Sequence, residues 1–136
     1  MGKITVVGIG PGSLEDMTPR AKRAIEEAAV VAGYTTYIKL IKDLIGEREV
    51  IGTGMMQEID RCRMAVETAA KGRDTVVVSS GDSGVYGMAG LVLELLLQRE
   101  ASARPEFGGV IAGISAVNAA ASILGAPLMH DFAVIS

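Results

Sequence analysis

The segment Lys3–Ile9, KITVVGI, is rich in Ile, Val and Thr and is cut off by Gly10, Pro11 and Gly12. A strand that is apolar at successive positions must be covered on both faces, which restricts it to a parallel sheet held between layers of helices. The rest of the chain repeats this demand. Thr18 followed by Pro19 reads as N-cap and first helical residue. Ala21, Ala24, Ile25, Ala28 and Ala29 then recur at helical spacing, while Lys22, Arg23, Glu26 and Glu27 take the other face. Val30–Gly33 is predicted as a second strand, Tyr37–Ile45 as a short helix ended by Gly46, and Glu49–Ile51 as a third strand. Ile59, Cys62, Val66 and Ala69 mark one face of a helix ending at Lys71 and Gly72, and Thr75–Ser79 (TVVVS) is the fourth strand. After a Leu-rich helix to about Arg99 and the turn-rich ARPEFGG come a strand at Val110–Ala112 and a helix over Ser115–Leu124. Strands alternating with helices need right-handed crossovers, so the predicted fold class is α/β, a mainly parallel five-stranded sheet with helices on both faces.

Composition agrees with that layering. A chain of 136 residues, 49% hydrophobic and 21% charged, fits one globular domain. Such a chain buries roughly two thirds of its unfolded surface, leaving about 6,700 Å² exposed. Aromatics are only 4% and Trp is absent, whereas Gly is plentiful at 17, so the core is expected to be aliphatic with close backbone contacts. A net charge of −3 leaves no basic field to hold a nucleic-acid backbone. The single Cys62 cannot close an internal disulfide and, with the single His130, makes no structural zinc site, so no metal is expected and the reducing cytoplasm is the natural compartment. Cys62 is read as a core residue, not a nucleophile. The uncharged stretch from Gly108 to Met129 contains Ser115, Asn118, Ser122 and Pro127 and reads as strand, turn and helix, not as a membrane span. Pro11 and Gly12 likewise interrupt the N-terminal apolar run before a signal peptide could form. The chain closes on the apolar run FAVIS, Phe132–Ser136, which suggests the start of a further strand and a second domain outside the chain.

Three Gly-rich loops follow predicted strands: GIGPGS after the first, SSGDSGVYG after the fourth and GISA after the fifth. Ligands of open parallel sheets sit outside the carboxyl ends of the strands, where glycines admit close approach and helix N-termini present free N–H groups. Such glycines serve equally well in plain tight turns. The first loop does not complete a dinucleotide fingerprint: Gly8 and Gly10 fit, but Ser13 takes the third position, Pro11 lacks an N–H, and Gly33, Tyr34 and Thr35 stand where a ribose-binding acid belongs. GDSG at Gly81–Gly84 is followed by Val85, and neither Ser83 nor Ser115 lies in G-x-S-x-G, which excludes the common serine hydrolases. His130 beside Asp131 reads as a structural or surface group before a general base. Asp82, between glycines at a strand's carboxyl end, is placed either to accept hydrogen bonds from a ribose or ammonium group or to sit solvated in its loop.

Taken together and in order, these loops resemble the tetrapyrrole methylase family of S-adenosylmethionine-dependent methyltransferases. VGIGPGS at Val7–Ser13 is similar to the family's VGxGPGD with Ser13 for Asp; SSGDSGVYGMA at Ser79–Ala89 is similar to its GDP loop with Ser83 for Pro; and GISAVNAAASILGAPL at Gly113–Leu128 is similar to its third motif. SSGDSGVYGMA and LGAPLMHDFAVIS are most similar to members that methylate a carbon of a corrin precursor and contract its ring in cobalamin biosynthesis. The resemblance implies the N-terminal half of a two-domain enzyme, residues 1–131, with 132–136 starting the interdomain connector. It implies S-adenosyl-L-methionine as cofactor, held by Gly10, Pro11, Ser80, Gly81, Asp82, Val85, Ser115 and Ala116. It further implies a tetrapyrrole acceptor and a homodimer in the full-length form, and it assigns no catalytic side chain. The alternatives it leaves are another corrin carbon, uroporphyrinogen III, or a cofactor-binding half that is inactive by itself.

Overall fold

The structure, a computed structural model, describes residues 1–135. Five parallel strands, β1 (Lys3–Gly8), β2 (Val30–Tyr34), β3 (Glu49–Thr53), β4 (Thr75–Ser79) and β5 (Glu106–Ile111), form one sheet in the order β3-β2-β4-β1-β5. The helices are α1 (Pro19–Glu27), α2 (Thr35–Leu40), α3 (Lys42–Ile45), α4 (Glu58–Ala70), α5 (Ala89–Leu97) and α6 (Ala116–Leu124). The sheet has helices on both faces, as predicted. Thr18 caps α1, its Oγ1 accepting from the Ala21 N–H at 3.1 Å, and Pro19 occupies the first turn where its missing N–H costs nothing.

The two-residue period of the strands divides the core in two. On one face Ile4, Val6, Val30, Ala32, Ile51 and Val77 pack against Cys62, Ala65, Val66 and Ala69 of α4 and Val92 and Leu96 of α5. On the other, Val7, Ile9, Val31, Val76 and Val78 meet Ala21 and Ile25 of α1 and Ile45 of α3.

Local departures from the sequence-based expectations have physical causes. The helix expected over 37–45 starts at Thr35, directly after β2, and breaks in two at Ile41, which turns inward to be buried beside α1. Ile59, expected on the buried face of α4, is exposed: it lies in the first turn, whereas the core-facing positions Cys62, Ala65, Val66 and Ala69 begin further along the helix. The fifth strand begins at Glu106 within the stretch read as turn. Gly109, at φ +91°, makes the bulge that shifts the β1–β5 register, and Gly108 lets β5 press against Thr5 and Lys3, where any Cβ would collide with Thr5 Oγ1. Phe132–Ile135 joins no strand of the sheet, and Ser136 lies outside the described residues.

Candidate functional site

The predicted contact residues all lie at the carboxyl edge of the sheet, after β1, β4 and β5. The loops there touch backbone to backbone. Gly10 and Gly81 form an antiparallel bridge: the Gly10 N–H donates to the Gly81 carbonyl at 3.1 Å, and the Gly81 N–H donates to the Gly10 carbonyl at 2.7 Å. Both have positive φ, 75° and 63°, which a side chain would strain. A Cβ on Gly8 would lie 2.7 Å from the Gly81 carbonyl oxygen, and one on Gly113 would collide with that same oxygen. The Gly81 position also lies against the start of α6, with the Ala116 nitrogen 3.5 Å from where its Cβ would be. Gly81 is therefore the point where all three loops converge.

Asp82 clamps this junction. Its Oδ1 accepts from the Gly113 N–H of the β5 loop at 2.9 Å, and its Oδ2 accepts from the Gly84 N–H at 3.0 Å. Both oxygens thus already serve backbone donors. Ser115 caps α6: its Oγ accepts from the Asn118 N–H at 3.4 Å and donates to Asn118 Oδ1 at 2.6 Å. Ser83 is fully buried and accepts from Ser79 Oγ at 3.0 Å, so the loop is held internally. The predicted residues therefore fall into two groups. Gly10 and Gly81 are buried, and Asp82 and Ser115 are half-buried, all four engaged in holding the loops, whereas Pro11, Ser80, Val85 and Ala116 are exposed. His130 and Asp131 are exposed on the C-terminal segment.

Beside the β4 loop opens a cleft of about 240 Å³, lined by Tyr34, Tyr37, Glu58, Arg61, Ser80, Tyr86 and Met88 among others. Tyr34 and Tyr37 meet edge to face, centroids 5.1 Å apart. Arg61 is 4% exposed; its Nη1 donates to Thr53 Oγ1 at 2.6 Å and its Nη2 reaches Met88 Sδ at 3.7 Å. Of these lining residues only Ser80 was on the sequence-based list. The available signal was Arg61 itself, a cation adjoining the apolar stripe of α4. Cys62, its neighbour, is buried as predicted, and burial pushes its thiol up to about 11, against the opposing field of Arg61. A thiol so shifted is no nucleophile near neutral pH. A second cleft, of about 250 Å³, is lined by Lys3, Arg20, Arg23, Glu27 and Asp74, near the amino ends of β1 and β4 and away from the three loops. Among the described residues no three His, Cys, Asp or Glu side chains gather as a metal site, and no helix is long and apolar enough to cross a membrane.

Known proteins share this arrangement. The family profile of the tetrapyrrole (corrin/porphyrin) methylases matches residues 3–136. A probable cobalt-factor III C(17)-methyltransferase of Salmonella typhimurium is 50% identical over 98% of this chain and 54% of its own length. Among solved structures, the methyltransferase CobJ superposes with a TM-score of 0.86 at 40% identity, covering 99% of this chain and 56% of that one. A uroporphyrin-III C-methyltransferase from Thermus thermophilus complexed with S-adenosylhomocysteine superposes with a TM-score of 0.70 at 26% identity, over 95% of this chain and 50% of that one. The chain spans between 25% and 54% of the lengths of the first curated relatives it matches. With a profile match over nearly its whole length and the three family loops brought to one edge of the sheet, the chain belongs to the tetrapyrrole methylase family.

Proposed function

We propose that this chain forms the cofactor-binding half of an enzyme that methylates C(17) of cobalt-factor III, or of precorrin-3B, with ring contraction. The observation that carries the proposal is the convergence of three loops on Gly81, coupled to 50% identity with a probable cobalt-factor III C(17)-methyltransferase. S-adenosylmethionine fits as the methyl donor because the junction of Gly8, Gly81 and Gly113, packed backbone on backbone, brings the exposed Pro11, Ser80, Val85 and Ala116 to one edge of the sheet. When bound, the sulfonium supplies an electrophilic methyl group and loses its positive charge as that group moves to carbon. Pro11, Ser80, Val85 and Ala116, the exposed members of the set, would hold the cofactor. Gly10, Gly81, Asp82 and Ser115 would keep the loops in register, so that proximity and exclusion of water provide the acceleration without a strong acid or base.

The acceptor is a large polycarboxylate macrocycle, and its other wall would come from the part of the relatives that this chain does not span. In that longer form the enzyme is proposed to act as a cytoplasmic homodimer. Calorimetry tests the cofactor half: S-adenosylhomocysteine is expected to bind this chain, and no heat at millimolar concentration would overturn the proposal. For the acceptor, the chain is fused to the C-terminal half of the Salmonella typhimurium relative and the product is weighed. The fusion is expected to add one methyl mass to cobalt-factor III, and the chain by itself to do so far more slowly. Methylation of uroporphyrinogen III in its place would overturn the acceptor assignment.

A further inference from the structure

Arg61 carries a charge that the fold leaves unanswered. It is nearly fully buried at the start of α4, its Nε has no hydrogen-bond partner, and its Nη groups meet only a hydroxyl and a thioether. Among the described residues the ion pairs within 4.0 Å are Arg63–Asp60 and Arg73–Glu49, neither of which involves it. Glu58, one turn earlier, lines the same cleft without pairing with it. A buried guanidinium without an anion is costly, because desolvation is not offset by a counter-charge. The cleft it lines also presents the hydroxyl-bearing side chains Tyr34, Tyr37 and Ser80, and Ser80 belongs to the loop that follows β4.

From this we infer that Arg61 is a binding residue whose guanidinium takes a carboxylate of a small molecule seated in the Tyr34–Tyr37–Ser80 cleft. The inference rests on the methyl-transfer function proposed above, which offers two sources of that group: the amino-acid end of the cofactor and the periphery of the macrocycle. A planar guanidinium matches a carboxylate in two parallel hydrogen bonds, which a lysine ammonium cannot reproduce.

Calorimetry on the chain and on Arg61→Gln separates the sources with two ligand pairs. S-adenosylhomocysteine is compared with 5′-methylthioadenosine, which lacks the amino-acid end; cobyrinic acid is compared with cobyric acid, whose carboxylates are mostly amides. Arg61→Gln is expected to weaken the carboxylate-bearing member of one pair about 10- to 100-fold while sparing its partner, and the pair affected names the source. Arg61→Lys should recover only part of the loss. Equal weakening of both members of both pairs, or of none, would overturn the assignment. The melting temperature without ligand is a second readout: it should hold or rise in Arg61→Gln, since an unpaired buried charge is removed, whereas a structural arginine would lower it. If Arg61→Gln does not fold, Arg61→Met replaces it throughout.

Failure of the wild-type chain to bind any of the four compounds would count against the proposed function and not against Arg61. The assignment is then decided by melting in sodium citrate against sodium chloride of equal ionic strength. A rise in citrate that Arg61→Gln abolishes upholds it, and equal behaviour of the two chains overturns it.

Discussion

The centre of the sheet and its β5 flank are built from similar residues and end in different states. β4, TVVVS, is buried along its whole length, whereas β5, EFGGVI, alternates between exposed and half-buried positions. α4 buries Cys62, Ala65, Val66 and Ala69, yet α6, AVNAAASIL, buries none of its residues, and Ile123 is 85% exposed. The total accessible surface, 7898 Å², accordingly exceeds the ~6,700 Å² expected of a compact chain of this mass. Apolar composition makes burial favourable, but only a partner surface makes it happen. The three Gly-rich loops straddle this divide: those after β1 and β4 spring from the covered centre, and the one after β5 from the open flank. The Asp82–Gly113 hydrogen bond ties the two together.

Truncation breaks the comparison most directly. Ile25→Ala, at a fully buried position on α1, is expected to cost about 2–5 kcal/mol, whereas Ile123→Ala on α6 should fall within about 0.5 kcal/mol of wild type, both read from urea midpoints. Comparable losses would mean that α6 is packed in solution.

The covered centre also has a pH signature. Burial raises the Cys62 thiol from 9.0 to about 11, so the unfolded chain ionises first. The resulting stability is fully present below pH 9 and is lost as pH rises through 11, by up to about 3 kcal/mol. Urea midpoints of wild type and Cys62→Ala across that window should converge by this amount. A constant gap would show that the thiol is not buried in the working structure.

The seam between the regions should respond less. Asp82→Ala leaves the half-buried Gly113 N–H without its acceptor and is expected to cost about 1–3 kcal/mol, with S-adenosylhomocysteine affinity falling as the β5 loop drifts. Unchanged stability with lost affinity would instead make Asp82 a direct ligand contact.

The elements legible in advance were those with a local cause. The β-branched run at Lys3–Ile9, the Thr18–Pro19 start of α1 and the helix expected from Ser115 each carry their instruction within a few residues. Gly10 and Gly81 announced tight approach, though not to each other. The start of β5 was hidden because Gly108 and Gly109 signal a turn unless the neighbour that needs their bareness, Thr5 of β1, is known. Arg61 was passed over because a cation on a helix is ordinarily solvated, and only the packing of α4 against β3 and α5 shows it buried.

By itself, the sequence determined the α/β class, the alternation of elements and the order of the three glycine loops, because periodicity, caps and turn residues act over short spans of chain. Tertiary structure alone decided that Gly81 meets Gly10 and the start of α6, that Asp82 grips Gly113, and that Arg61 stands unpaired beside a cleft. These contacts join residues as much as 71 positions apart, as Gly10 and Gly81 are, and no local pattern encodes which backbone a bare glycine will admit or which charge burial will leave without a partner.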